Sequence, residues 1–154
     1  MRYNRGVRWS KANIPDMTAG AQEIRFEGVH CSLSIAKLAD RVVLLKIAGT
    51  DVGEFGEAPM KALRDFLGDS PATHLFIDAR DVRGASIEVS ADWAGWLNTH
   101  REILETVTML TGSRFVQITA EFVRRFSSLE GSLRICTDPI VFDQVLFEAT
   151  ESAV

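Results

Sequence analysis

The sequence is poor in residues that staple, ligate or stiffen a chain: two cysteines, three histidines and four prolines in 154 residues. Cys31 and Cys136 stand far apart in apolar, strand-like stretches, with no His or Cys nearby at ligand spacing. That pattern excludes a disulfide-framed small scaffold and a zinc-type metal site, and it reads as two buried thiols in a reducing compartment. A bridge between them would need their strands to lie side by side. No apolar run reaches the twenty or so residues that a membrane-spanning helix needs. The opening MRYNRGVRWSKANIPD carries charge but no apolar core of a secretory signal, so the expected location is the cytoplasm.

Catalytic signatures are missing as well. There is no Gly-x-Ser-x-Gly turn, no Gly-x-x-x-x-Gly-Lys phosphate loop and no dinucleotide-binding glycine triplet. His30, His74 and His100 have no nucleophile or carboxylate at a recognisable spacing. No catalytic residue, cofactor or metal is therefore assigned, and the chain reads as a non-enzyme.

What the chain does hold is enough apolar material for one core: 46% hydrophobic and 25% charged residues, with a mean hydropathy of +0.04. One domain is the natural reading at this length. The net charge of −4 is uneven, since Arg2, Arg5, Arg8 and Lys11 against Asp16 give the first twenty residues +3 and leave −7 for the rest. An acidic body argues against a general grip on nucleic-acid phosphates. Residues 1–22 read as a flexible basic arm, whose Tyr3 and Trp9 add contact area beside the charges for a partner or an anionic surface. Residues 23–150 form the domain and 151–154 a short tail.

Within the domain, Ile24 and Phe26, then Cys31, Leu33 and Ile35, alternate with polar neighbours and predict a half-buried strand. Ala39-Asp40-Arg41 turns the chain into the apolar run Val42–Ala48, which completes a hairpin. Pro59 opens a helix with Met60, Leu63, Phe66 and Leu67 at helical spacing, and Gly68 ends it. Thr73–Ala79 is an inner strand, followed by a loop from Arg80 to Val89. Ser90 stands as N-cap of a helix that presents Trp93, Trp96, Leu97, His100 and Leu104 on one face. Val107–Thr111 is the next strand, Gly112-Ser113 leads into a helix with Phe115, Ile118, Phe122, Phe126 and Leu129 inward, and Leu133–Cys136 is the last strand. Asp138-Pro139 caps and starts the final helix. The order ββαβαβαβα, with single helices between strands, implies a mixed, mostly parallel sheet with an antiparallel N-terminal hairpin, flanked by about four helices.

The runs LFIDARDVRGASIEVSADWAGWL, VTMLTGSRFV and LRICTDPIVFDQVL resemble the SpoIIAA-like branch of the STAS superfamily, over roughly residues 24–149. The resemblance implies an α/β STAS-like fold and a regulatory module that binds another protein or itself, as anti-sigma-factor antagonists do. In some members a serine just before the second helix is phosphorylated. Those members carry an Asp-Ser pair there, whereas this chain has Gly84-Ala85-Ser86-Ile87-Glu88-Val89-Ser90, so Ser86 and Ser90 are the candidate phosphoacceptors. A related SEC14-like branch implies an alternative: a carrier or sensor holding a lipid-like apolar molecule between helices and sheet.

Functional groups of a parallel sheet gather beyond the C-terminal ends of its strands. The candidate partner-binding rim is thus Asp78, Arg80, Asp81 and Arg83, with Ser113, Arg114 and Asp138, against the plain alternative of a solvated loop and two helix caps. Trp93 and Trp96, three apart on one helix, are candidates for lining an apolar pocket, with core packing as the plain alternative.

Overall fold

The computed structural model describes residues 2–3, 22–68, 72–112, 114–127 and 131–153. Seven strands and four helices follow one another as β1 (Arg2–Tyr3), β2 (Gln22–Glu27), β3 (Cys31–Ala39), β4 (Val42–Asp51), α1 (Ala58–Leu67), β5 (Thr73–Ala85), α2 (Ile87–Thr99), β6 (Leu104–Thr111), α3 (Arg114–Ser127), β7 (Leu133–Cys136) and α4 (Pro139–Ser152). The strands lie in one sheet in sequence order. Pairs β1·β2, β2·β3 and β3·β4 are antiparallel, whereas β4·β5, β5·β6 and β6·β7 are parallel. The chain is thus α/β with a mixed sheet and four helices, and the expected order holds from β3 onward.

The first expected strand divides in two at Gly28–His30, where the Gly28 N–H donates to the Cys31 carbonyl at 2.9 Å. Alternation continues on both sides of this turn, which is why the break is invisible to a period-two pattern. Arg2 and Tyr3 pair with Arg25 and Ile24; this start of the expected arm therefore belongs to the sheet, and residues 4–21 lie outside the described residues. At the other end α4 runs to Ser152, so the expected tail from 151 begins inside a helix.

Register sorts the strand residues onto two faces. Ile24, Ile35, Leu45, Ile77, Met109 and Ile135 stand in one row across the sheet. One residue along, Arg25, Ser34, Lys46, Asp78, Leu110 and Cys136 form a row on the opposite face. Successive right-handed crossovers that advance in one direction place every connecting helix on the same side. Accordingly α1, α2 and α3 pack on the first face, where Leu63, Phe66, Leu97 and Val123 meet Leu45, Leu75, Ile77 and Val107 in the larger core. No strand follows α4, and it returns across the opposite face, seating Phe142 and Leu146 on Val42, Leu44, Phe76 and Leu110.

Helix ends follow their residues. Pro59 occupies the first turn of α1 and Gly68, at φ 66°, ends it. Asp138 caps α4 by accepting the Ile140 N–H at 2.9 Å, with Pro139 next. In α3 the expected inward Ile118 is 60% exposed, Phe122 is half-buried, and Ala120 and Val123 are buried, while Leu129 and the side chains of Phe115 and Phe126 lie outside the described residues.

Candidate functional site

The C-terminal ends of β4, β5, β6 and β7 define one end of the sheet. Because β2 is antiparallel to β3 and β3 to β4, the Gly28–His30 turn arrives at this same end, with Cys31 opposite Gly49. Three segments meet there and are hydrogen-bonded to one another. Glu54, in the loop after β4, accepts the N–H groups of Val29 at 3.2 Å and His30 at 3.0 Å. The Thr50 N–H donates to the His30 carbonyl at 2.8 Å, and the Ser86 N–H donates to the Asp51 carbonyl at 3.0 Å. Within the loop, Asp51 Oδ1 accepts the Gly53 N–H at 3.0 Å.

Two glycines make this closeness possible. A Cβ on Gly28 would stand 2.4 Å from the Glu54 carboxylate, and one on Gly49, at φ +90°, would stand 2.3 Å from the His30 carbonyl oxygen. At Gly49 the obstacle is backbone and φ is positive, so no side chain fits there; at Gly28 the obstacle is the Glu54 carboxylate, which would have to leave the turn it holds.

On this fixed shelf sit side chains that have no structural reason to be outside. Val29 is 89% exposed, Val52 51% and Ile87 79%, one on each of the three segments. Ile140 (74%) and Val141 (48%) add a second exposed pair at the start of α4, also at this end of the sheet. Isolated exposed apolar residues are ordinary, but their concentration at one end on a hydrogen-bonded scaffold is the pattern of a contact surface. The sequence reading missed Val29, Val52 and Ile87; the signal available was an apolar residue inside each of three polar, glycine-bearing turns.

The expected rim residues are redistributed. Asp78 and Arg80 are not on the rim: β5 continues past them to Ala85, and both point to the α4 face. There Arg80 Nε lies 2.9 Å from Asp78 Oδ1, and its Nη2 lies 2.6 Å from Asp143 Oδ1 on α4. The three side chains are 8–13% exposed. Burial works against the charge on Arg80, but the hydrogen bonds and charges of Asp143 and Asp78 prevail and raise its pKa above the usual guanidinium value. The pair expected as a solvated rim is therefore a buried strut between β5 and α4. Asp81 and Arg83 are exposed on the outer half of β5, Arg114 is exposed at the start of α3, and Asp138 is an exposed cap. Ser113 lies outside the described residues.

The serines exchange roles. Ser86, not Ser90, is the N-cap of α2, its Oγ accepting the Val89 N–H at 3.1 Å. Ser90 sits one turn inside the helix and is 7% exposed. The helix starts four residues earlier than the sequence suggested because β5 runs through the charged stretch Arg80–Arg83 and ends directly at the cap.

Trp93 and Trp96 meet edge to face with ring centroids 6.0 Å apart, and Trp96 stacks on His100 at 4.2 Å. His100 Nδ1 donates to the Trp96 carbonyl at 2.8 Å, closing the C-terminal end of α2. Trp93 does line an apolar cavity under α2 and α3, with Leu45, Ile77, Leu97 and Val123, but its volume is about 80 Å³. Small-molecule sites are usually about 300 Å³ or larger. Trp96 instead borders an open groove between α2 and the loop after β4.

Neither thiol is poised to react. Burial, with Asp51 and Glu54 adding to it, pushes the Cys31 thiol up to about 12, and burial also raises that of Cys136. Both are free, and three strands stand between theirs, roughly 19 Å at ordinary strand spacing. Among the described residues no group of three or more His, Cys, Asp or Glu side chains is arranged to hold a metal, and no helix is long and apolar enough to cross a membrane.

Comparison with solved structures shows the same architecture elsewhere. An uncharacterized protein from the DUF3478 family with a SpoIIAA-like fold, from Shewanella loihica PV-4, superposes with a TM-score of 0.57 at 17% identity, covering 79% of this chain and 98% of its own. The anti-sigma factor antagonist SpoIIAA in its unphosphorylated form gives 0.52 at 14% identity, over 73% of this chain and 95% of its own. An anti-sigma factor antagonist from Mycobacterium paratuberculosis gives 0.53 at 13% identity, over 79% and 94%. No family model matches the sequence, and no curated protein is significantly similar to it. The fold is SpoIIAA-like, as the sequence motifs implied.

Proposed function

We propose that this chain is a non-enzymatic regulatory module of the cytoplasm that binds another protein through the rim built by Gly28–His30, Asp51–Glu57 and the start of α2. The observation that carries this reading is the exposure of Val29, Val52 and Ile87 on segments locked to one another by Glu54 and Asp51. A pre-formed shelf loses little conformational freedom on docking, which favours association over a mobile loop of the same composition. The fold-level likeness to anti-sigma factor antagonists supports the same direction. Ser86 is the phosphoacceptor this reading favours, because it stands at the helix N-terminus beside Ile87, whereas Ser90 is buried. A phosphate at Ser86 would meet the free N–H groups of α2 and place charge within the apolar contact.

Replacing Val29, Val52 and Ile87 together by serine should leave the thermal midpoint nearly unchanged, each site lying within about 0.5 kcal/mol as an exposed position. Affinity-purified full-length chain from the native cell should recover a stoichiometric partner, and the triple variant should lose it. Recovery of that partner by the variant at undiminished yield would place the contact elsewhere.

A further inference from the structure

The groove beside this rim has a composition that the exposed apolar residues do not account for. It lies between the loop after β4, the start of α1 and the outer side of α2, with a volume of about 330 Å³. Its lining joins the aromatic and thioether side chains of Phe55, Met60, Trp93 and Trp96 to the carboxylates of Asp51, Glu57 and Asp92. No lysine, arginine or histidine lines it among the described residues. The imbalance extends beyond the groove: residues 51–60 and 86–98 hold Asp51, Glu54, Glu57, Glu88 and Asp92 and no basic side chain.

These carboxylates differ in how far they are already engaged. Asp51 holds the Gly53 N–H and Glu54 holds the turn before β3. Among the described residues Glu57 has only Lys61 Nζ, at 4.0 Å with both side chains well exposed. Asp92 is exposed next to Trp93 and has no hydrogen bond or ion pair among the described residues. Aromatic faces attract cations through their quadrupole, and a guanidinium both stacks on such faces and spans carboxylates with its fork of donors.

We infer that the groove receives an arginine side chain, presented by the partner protein next to an apolar residue, with Trp93 and Phe55 flanking the guanidinium and Asp92 and Glu57 facing its charge. This rests on the rim being a partner surface and names the chemistry that the partner brings. The body of a second copy fits poorly, because residues 21–154 carry −7 and would oppose like charge to this acidic groove; the arginines of a second copy's first twenty residues are the competing occupant that the peptide-free arm of the test reads.

The test uses full-length protein and a defined probe, the capped tripeptide acetyl-Leu-Arg-Phe-amide, beside the same peptide with neutral citrulline in place of arginine. Indole N–H resonances of Trp93 and Trp96 should shift saturably with the arginine peptide, and its affinity should fall with added salt. The citrulline peptide should bind about tenfold more weakly, as should the arginine peptide to the Glu57→Gln/Asp92→Asn variant. Both carboxylates are exposed, and an unchanged circular dichroism spectrum and thermal midpoint would verify that the variant folds. Equal binding of the two peptides, or shifts confined to resonances away from Trp93 and Trp96, would overturn the arginine assignment. So would concentration-dependent shifts of these indoles without peptide, which would give the groove to self-association. Loss of partner capture in the Val29, Val52 and Ile87 variant, alongside full capture by the Glu57→Gln/Asp92→Asn variant, would remove the groove proposal and leave the interaction reading standing.

Discussion

The two faces of the sheet are held by different physics. On the face covered by α1, α2 and α3, one continuous apolar cluster joins three helices to six strands. On the other, α4 alone seats its Phe142 and Leu146 on four buried strand residues, with Arg80 bridging Asp78 and Asp143 at the edge. The first face can lose a side chain and still be tied by its neighbours. The second depends on a few contacts, and each of them should matter to α4 in particular.

Removing the central side chain from each face makes that difference measurable. Leu63→Ala on α1 and Phe142→Ala on α4 both empty fully buried sites, and each should cost on the order of 2–5 kcal/mol. Their local effects should diverge. In hydrogen exchange, Phe142→Ala should raise the exchange of residues 139–152 far more than that of 58–67, because α4 can open on its own. Leu63→Ala should lower protection across the larger core together. Equal loss of protection everywhere in the Phe142→Ala protein would show that the faces unfold as one unit.

The strut sharpens the comparison at the next level. Arg80→Met leaves Asp78 and Asp143 buried without their counter-charge, an arrangement that should cost about 3 kcal/mol. Replacing all three together, Asp78→Leu, Arg80→Met and Asp143→Leu, should recover most of that loss, since apolar groups of similar volume often match a buried ion triad. Chemical denaturation of the two variants checks this directly. A triple variant as unstable as Arg80→Met would mean that the strut contributes geometry that apolar packing cannot replace.

These cases also mark how much was legible beforehand. The α/β element order could be read because helical and strand periodicities switch cleanly, and because Pro59, Gly68 and Asp138-Pro139 punctuate them with local chemistry, whereas the SpoIIAA-like likeness rested on the resemblance of three sequence runs. Asp78 and Arg80 were misplaced because charge was read as solvent exposure, although a spacing of two put both on the side of buried Phe76. Their partner Asp143 lies 63 residues from Arg80, and no local pattern brings it there. The rim was hidden for a related reason: Val29, Val52 and Ile87 come from a turn, a loop and a helix start far apart in the chain, and only the sheet's register assembles them.

Ser86 and Ser90 test the corrected start of α2 at a smaller scale. Ser86→Ala removes the acceptor of the Val89 N–H and should cost about 1 kcal/mol, whereas Ser86→Gly should cost only a few tenths. Had Ser90 been the cap, the alanine series would show its larger effect there with this glycine rescue. Thermal or chemical denaturation of the four variants Ser86→Ala, Ser86→Gly, Ser90→Ala and Ser90→Gly separates the two, because glycine inside the helix at 90 should be worse than alanine by about 1 kcal/mol.

The smallest effect is a pH signature of the rim's underside. Cys31 lies beneath the turn that Glu54 holds, and its thiol is raised from 9.0 to about 12 by burial, then by Asp51 and Glu54. An unfolded chain would ionise near the ordinary value while the folded one stays neutral. The contribution is therefore complete below pH 9 and declines as pH rises toward about 12. Measured as a difference against Cys31→Ala, which has no thiol to titrate, the native chain should lose stability faster across that window. In the Glu54→Gln variant the decline should begin from a folded thiol pKa that is lower, since one of the two negative charges facing the sulfur is gone. Parallel pH profiles for the native chain and Cys31→Ala would mean that water already reaches the sulfur and that the turn over it is looser than its hydrogen bonds imply.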